Sequence, residues 1–283
     1  MASSMVSIIG SRGFIGSALV PVLKRNFITV HLFNSESKYL DDNGLINENL
    51  INSETIVWCA SRVNPISGQN NPKLISDEIE LWRKFVELIS KDCEKSHNIV
   101  FMSSGGCVYS GNKPPFREDS EAEGSNDYGI MKRDMEKILV NSGLQFKILR
   151  VANVYGPGQK TGKGQGVLAE WANRIKNNEP IEIFGDINSY RDYIHVQDLC
   201  SAIYNSLALE GTHILNIGSG VATSLSEIIH LFKKNSEIDF CVNELEARDV
   251  DRDSYWLDTT KAQKLLNWKP RIFLHEGIKE ILK

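Results

Sequence analysis

Val6-Ser7-Ile8-Ile9-Gly10-Ser11-Arg12-Gly13-Phe14-Ile15-Gly16 is the stretch on which the fold turns. Val6, Ile8 and Ile9 make an apolar run rich in β-branched residues and too short for a helix, so it reads as a buried strand. Three glycines follow at positions 10, 13 and 16, and apolar residues then recur at helical spacing from 14 to 26. Strand, glycine turn and helix in that order put unpaired backbone N–H groups at a helix N-terminus, where they hold phosphate. Gly10 permits the tight turn, Gly13 lets a pyrophosphate approach the backbone, and Gly16 lets helix and strand pack closely. Dinucleotide contacts are therefore expected from Gly10, Arg12, Gly13, Phe14, Ile15 and Gly16.

Outward from that turn, short apolar runs at 6–10, 29–33, 55–60, 98–103 and 146–151 read as strands, with helices at 14–26, 72–95 and 127–142 between them. Ile79, Trp82, Val86 and Ile89 share one face of the second helix. This β-α-β order predicts an α/β fold, a doubly wound parallel sheet of Rossmann type. Residues 35–53 are short and polar, leaving no room for a full crossover helix. After Val151 the glycines of Gly156-Pro157-Gly158 and of 161–166 break the pattern. A helix at 168–177, a strand at 213–217, a helix opened by the Ser224/Glu227 capping box and an end piece at 261–268 follow. These pieces are too scattered for a core of their own. They predict a smaller α/β C-terminal lobe (154–187 and 211–283) packed on a dinucleotide domain (1–153 with about 188–210), with a ligand cleft between.

The 283 residues carry a formal net charge of -4 and a pI of about 5.9, which leaves no basic surplus for nucleic acid. No apolar run is long enough for export or a membrane, so a cytoplasmic protein is expected. Cys59, Cys93, Cys107, Cys200 and Cys241 show no Cys-x-x-Cys and no histidine at metal spacing, so reduced thiols and no metal are expected.

In NAD binders an acid at the end of the second strand takes the ribose hydroxyls, but Phe33-Asn34-Ser35 offers only Asn34 there. Arg12 could instead pair with a 2′-phosphate, so NAD and NADP both stay open. Tyr128 and Lys132 stand four residues apart on one helix face. Tyr109 and Lys113 have the same spacing, but Gly111 and Pro114 forbid a helix. Lowering a phenol pKa from about 10 to about 7 takes roughly 4 kcal/mol. One cation about 4 Å away at an effective dielectric near 20 supplies that much. Lys132 and an oxidised nicotinamide ring could together make Tyr128 a base for a carbinol.

The glycine turn, Ser103-Ser104-Gly105-Gly106-Cys107-Val108-Tyr109, Tyr128-x-x-x-Lys132, Asn153-Val154-Tyr155-Gly156-Pro157-Gly158-Gln159, Arg191-Asp192-Tyr193-Ile194-His195-Val196-Gln197-Asp198 and the ending Asn267-Trp268-Lys269-Pro270 occur in order. Together they resemble the extended short-chain dehydrogenase/reductases, and more narrowly the nucleotide-sugar epimerase/dehydratase group around UDP-glucose 4-epimerase. The resemblance implies that Tyr128 is the base and Lys132 its tuner, with Ala60, Ser61, Ser103 and Val151 against the cofactor. It implies that Asn153 and Arg191 hold the diphosphate of a nucleotide sugar, joined by Arg248, for which Arg252 competes. Gly105 stands where the family usually has a hydroxyl. Ser104 is the residue expected to replace it, with Ser103 or a water as alternatives, and Cys107 faces the substrate.

The implied function is a nucleotide-sugar 4-epimerase working through a 4-keto intermediate with bound NAD. The alternative is an NADP-dependent reductase of a nucleotide-linked 4-keto-6-deoxysugar, and a third reading is a dinucleotide sensor without turnover. Dehydratase chemistry is disfavoured because that branch resembles Thr-Asp-Glu where this chain has Ser-Gly-Gly. Proteins of this kind commonly form homodimers through the helices at 72–95 and 127–142.

Overall fold

The computed structural model describes residues 5–41, 44–91, 97–111, 113–162, 165–248 and 254–283. Runs rich in Val, Ile and Phe form β1 (Met5–Ile9), β2 (Thr29–Phe33), β3 (Thr55–Trp58), β4 (Asn98–Ser104) and β5 (Gln145–Val151). With His213–Ile217 they make a six-stranded sheet in the order His213–Ile217, β5, β4, β3, β1, β2. Every pairing is parallel. Both faces are covered, as a parallel sheet requires. One is packed by α1 (Phe14–Arg25) through Leu19 and Leu23 and by Val196–Ser206 through Leu199 and Ile203. The other is packed by Pro72–Ser90 and Asp127–Val140 through Trp82, Phe85, Met131 and Met135. The Trp82 indole donates to Met135 O at 2.9 Å, so that buried N–H is satisfied.

The chain leaves β1 toward β2 on one side and returns to β3 on the other. This reversal of direction opens a crevice at the carboxyl ends of the strands, the usual ligand position in such sheets. Among the described residues between β2 and β3 the one helix is the four-residue Glu48–Ile51, capped by Asn47, in keeping with the trimmed crossover.

Two expectations are corrected. His213–Ile217, assigned to the C-terminal lobe, is the edge strand of the main sheet, because Leu215 and Ile217 bury themselves against β5. Tyr255, Leu257, Ala262, Leu266 and Trp268 return to the same core. The pieces that remain do have a core of their own. Val167–Lys176, Leu225–Asn235, Leu274–Leu282 and the parallel pair Ile181–Phe184 and Val242–Leu245 enclose Trp171, Ile175, Ile183, Ile228, Phe232 and Ile278. The capping box of Ser224 and Glu227 is formed. Cys93, Arg252 and part of the 161–166 loop lie outside the described residues.

Candidate active site

Gly10 has φ +88°, and its N–H and that of Ser11 both donate to Phe33 O, at 2.9 and 3.1 Å. A Cβ at Gly10 would lie 2.6 Å from Ala60 N, and one at Gly16 would strike the Gly10 carbonyl. Gly13 caps α1 without a side-chain acceptor, and no acid stands in the first turn, so the helix N-terminus is left for an anion. A dinucleotide pyrophosphate fits this cradle.

No carboxylate ends β2 itself, but one, Glu36, stands three residues beyond it. Glu36 is ion-paired with Arg12, both largely exposed, and the carboxylate is held below its ordinary pKa by the guanidinium. Asn34 spends its Oδ1 on the N–H groups of Glu36 and Ser37, at 2.9 and 3.3 Å. Its work is to close the loop that carries Glu36, a carboxylate that reading only Phe33-Asn34-Ser35 leaves out.

A cavity of about 690 Å³ runs from Phe14 and Ile15 past Ala60, Ser61, Val151 and Tyr128 to Asn153, Arg191 and Arg248. Tyr128 enters it from the first turn of Asp127–Val140, whose cap, Asn126, accepts from Gly129 N at 2.9 Å. Gly129 packs on the Cys107 carbonyl so closely that no side chain would fit. Lys132, 3% exposed, donates from Nζ to Met102 O at 3.1 Å and lies 5.7 Å from the Tyr128 ring centre. Burial lowers its pKa to about 8, against the opposing charges of Glu78 and Glu136. Burial likewise pushes the Tyr128 phenol above its ordinary value, with smaller contributions from Cys107 and Glu78. A positive charge brought close to the phenol oxygen acts against that burial by favouring the phenolate.

Ser103 and Ser104 both reach the cavity wall, but the Ser103 hydroxyl donates to Glu136, which is itself clamped by Arg150 at 2.7 Å. Its hydrogen is thus committed, and Ser104 is the serine left for a ligand. Cys107 lines the cavity, with Asn126 Nδ2 at 3.8 Å from its sulfur. The Tyr109 decoy is buried and donates to Asn216.

At the far end, Asn153 stands in Asn153–Tyr155, paired with Tyr193–His195. Arg191 donates to Tyr190 O and lies 5.7 Å from the Tyr255 ring centre. Arg248 sits 4.4 Å over the Phe184 ring. Asp192 is fully buried and accepts from Ser219 N, Ser219 Oγ, Gly220 N and Leu257 N. Burial raises its pKa to about 6 in spite of those bonds. Tyr255 and Phe184, both in the cavity wall, carried no signal in the sequence, since only tertiary contact brings them there. Among the described residues no acidic, Cys or His cluster is placed to hold a metal, and no helix is long and apolar enough to cross a membrane.

The NAD dependent epimerase/dehydratase family matches residues 6–218. The chain is 32% identical to dTDP-4-dehydro-6-deoxyglucose reductase of Escherichia coli, over 98% of this chain and 96% of that protein. Among solved structures, UDP-glucose 4-epimerase of Thermotoga maritima, crystallised with UDP-glucose, superposes with a TM-score of 0.84 at 26% identity, covering 98% and 97% of the two chains. The Thermus thermophilus UDP-glucose 4-epimerase, at 22% identity and a TM-score of 0.85 over 98% and 97%, shares the fold.

Proposed function

Because the chain belongs to the NAD dependent epimerase/dehydratase family, we propose that it is a nucleotide-sugar 4-epimerase that works through a 4-keto sugar with tightly bound NAD. The observation that carries this reading is the single cavity in which Tyr128 stands between the glycine-turn end and the two arginines, Arg191 and Arg248. When bound, NAD would supply the hydride acceptor and a positive charge in the cavity that Tyr128 lines. Gly10, Gly13 and Gly16 seat the pyrophosphate, Phe14, Ile15, Ala60, Ser61, Ser103 and Val151 pack along the cofactor, and Arg12 and Asn34 shape its adenosine end.

Tyr128 takes the proton of the sugar C4 hydroxyl, and Lys132 stabilises the phenolate. Ser104 bonds the reacting oxygen, and Cys107 packs against the sugar. Asn153, Arg191 and Arg248 hold the diphosphate, arginine being suited by its bidentate fork. The keto sugar turns over in the cavity, so that its other face would take hydride back at C4 while Tyr128 returns the proton to the C4 oxygen. Glu36 favours NAD, since a 2′-phosphate would meet a carboxylate already occupying Arg12. The cytoplasm and a homodimer fit this role, with Ile130 and Val140 exposed on the Asp127–Val140 helix for a second copy.

Purified protein mixed with UDP-glucose or UDP-galactose and no added cofactor tests this, with the sugar product read by proton NMR. Interconversion, with NAD released on denaturation, is the expected result. Consumption of NADPH with a nucleotide-linked 4-keto-6-deoxysugar and no epimerisation would establish the reductase reading, which the Escherichia coli relative favours.

A further inference from the structure

Lys132 stands between two buried carboxylates that are bound in different ways. Glu136, one turn on along the same helix, is gripped by Arg150 through Nε at 3.1 Å and Nη2 at 2.7 Å, and both side chains are buried. A fork of that kind leaves little of the carboxylate's charge for a third group.

Glu78 comes from the neighbouring helix, Pro72–Ser90, and is 2% exposed. Both helices return the chain between parallel strands and so run in the same direction, and the Trp82 indole bond to Met135 O fixes their register. One turn before Trp82 is Glu78, and one turn before Met135 are Met131 and Lys132, so this register sets the carboxylate against the turn that carries the catalytic lysine. The Glu78 carboxylate accepts from Arg62 N at 3.3 Å and from Arg62 Nε at 3.0 Å, which ties it to the turn after β3 where Ser61 lines the cavity. The Arg62 side chain is more than half exposed, so water screens its guanidinium and Glu78 keeps negative charge toward the interior.

Among the described residues no carboxylate is ion-paired with Lys132, whose Nζ donates to Met102 O, so its ammonium is balanced through space. Of the groups that act on it, Glu78 does most to keep it charged, ahead of Glu136 on its own helix and the Cys59 thiol just past β3. Glu78 and Cys107 also act on Tyr128, and Arg62 and the Tyr39 phenol are the titratable groups that face Glu78 from the other side.

We propose that Glu78 is a positioning residue: from the neighbouring helix it holds Lys132 in its ammonium form behind Tyr128, and through Arg62 it joins the charge of that pair to the turn lining the cofactor end. Its part in catalysis rests on the epimerase reading above; the charge it sets on Lys132 does not. No proton leaves Glu78.

Trace labelling of the purified protein with acetic anhydride across pH, with acetylation of Lys132 read by peptide mass spectrometry, follows that charge directly, because only the neutral amine reacts. Glu78→Gln keeps the shape and an acceptor for Arg62 and removes the charge. The labelling midpoint of Lys132 should fall by about one pH unit, the size expected for a half-screened buried charge acting across one helix contact. Arg62→Gln should move the midpoint the other way and by less, its guanidinium being screened by water. In the pH profile of kcat/KM for UDP-glucose, both limbs should shift to lower pH in Glu78→Gln, since loss of a negative charge favours the phenolate as it disfavours the ammonium. A role in packing alone predicts a lower thermal midpoint with every titration in place. If the Lys132 midpoint stays where it is in Glu78→Gln, or moves the same way in both variants, the Glu78 role is overturned whatever the enzyme turns over. Arg62→Gln alters an exposed side chain and folds whatever becomes of the first variant, and an unmoved midpoint in it alone also overturns the role. If the midpoints move and the activity profile does not, the part in catalysis is overturned. If the midpoints move as stated and the wild type epimerises no nucleotide sugar, the charge role stands and the epimerase reading falls.

Discussion

The two ends of the cavity are built by different means. The cofactor end is local: Gly10, Gly13 and Gly16 lie within two turns of chain, and what fixes them is backbone sterics, since a Cβ at Gly10 or Gly16 meets backbone atoms of Ala60 or Gly10. The sugar end is assembled at a distance. Leu257 reaches back 65 residues to Asp192, and Tyr255 fills space over Gly106 from nearly 150 residues away in sequence. A wall made by sterics tolerates almost no added atom. A wall made by hydrogen bonds on one buried carboxyl group depends on that one side chain.

The sharpest way to break the comparison is to remove what both ends serve. Tyr128→Phe is expected to lower kcat by about a thousandfold, within the range for loss of a general base, while binding of NAD and of the nucleotide sugar stays unchanged by calorimetry. Residual activity above a tenth would place the base elsewhere. At the cofactor end, Gly16→Ala is expected to cost about 3 kcal/mol, the scale of overpacking, with a matching fall in the denaturation midpoint and weaker NAD binding. An unaffected midpoint would mean that α1 shifts freely on its sheet.

That asymmetry also explains what could be read without coordinates. β1, β2 and the helix of Tyr128 follow from apolar spacing and caps, and the capping box at Ser224 and Glu227 is local too. His213–Ile217 was placed in the wrong region because its partner is β5, about 65 residues earlier, and nothing in five apolar residues names a partner. Glu36 was within reach, three residues past a strand end, but its pairing with Arg12 depends on how the loop closes over Asn34. The place of Tyr255 in the cavity wall is not legible at all, for its contact is with the absent side chain of Gly106.

At the sugar end, Asp192→Asn replaces an acceptor of four bonds by an amide whose NH2 faces N–H groups. A loss of roughly 2 kcal/mol at pH 7 is expected from such unsatisfied donors, and kcat should fall as the 254–257 segment loosens. The pH dependence has a definite sign. The folded carboxyl titrates near pH 6, above its ordinary value of 3.8, so the folded state binds the extra proton between those values. Its contribution to stability is full below about pH 4 and is lost as pH rises through about 6. The gap in stability between wild type and Asp192→Asn should therefore widen as pH falls from 7 to 5 in urea titrations. A gap that stays constant would mean that Asp192 titrates at its ordinary value.

The smallest effect should come from Glu36→Gln, and it sharpens the comparison most, because it tests whether the local end also decides which cofactor is used. The Arg12–Glu36 pair is exposed on both sides, so its loss should leave the denaturation midpoint unchanged. What changes is the charge offered to the adenosine ribose. With the carboxylate gone, Arg12 is released to meet a 2′-phosphate as a bidentate donor. The affinity ratio of NADPH to NADH, from fluorescence titration, should rise about tenfold at low salt. Most of that gain should disappear at high salt, as expected for an interaction open to water. Arg12→Ala in the same background should cancel the gain. A ratio that does not move in Glu36→Gln would show that Arg12 never reaches the ribose, and cofactor choice would then pass to the backbone of the loop that Asn34 closes.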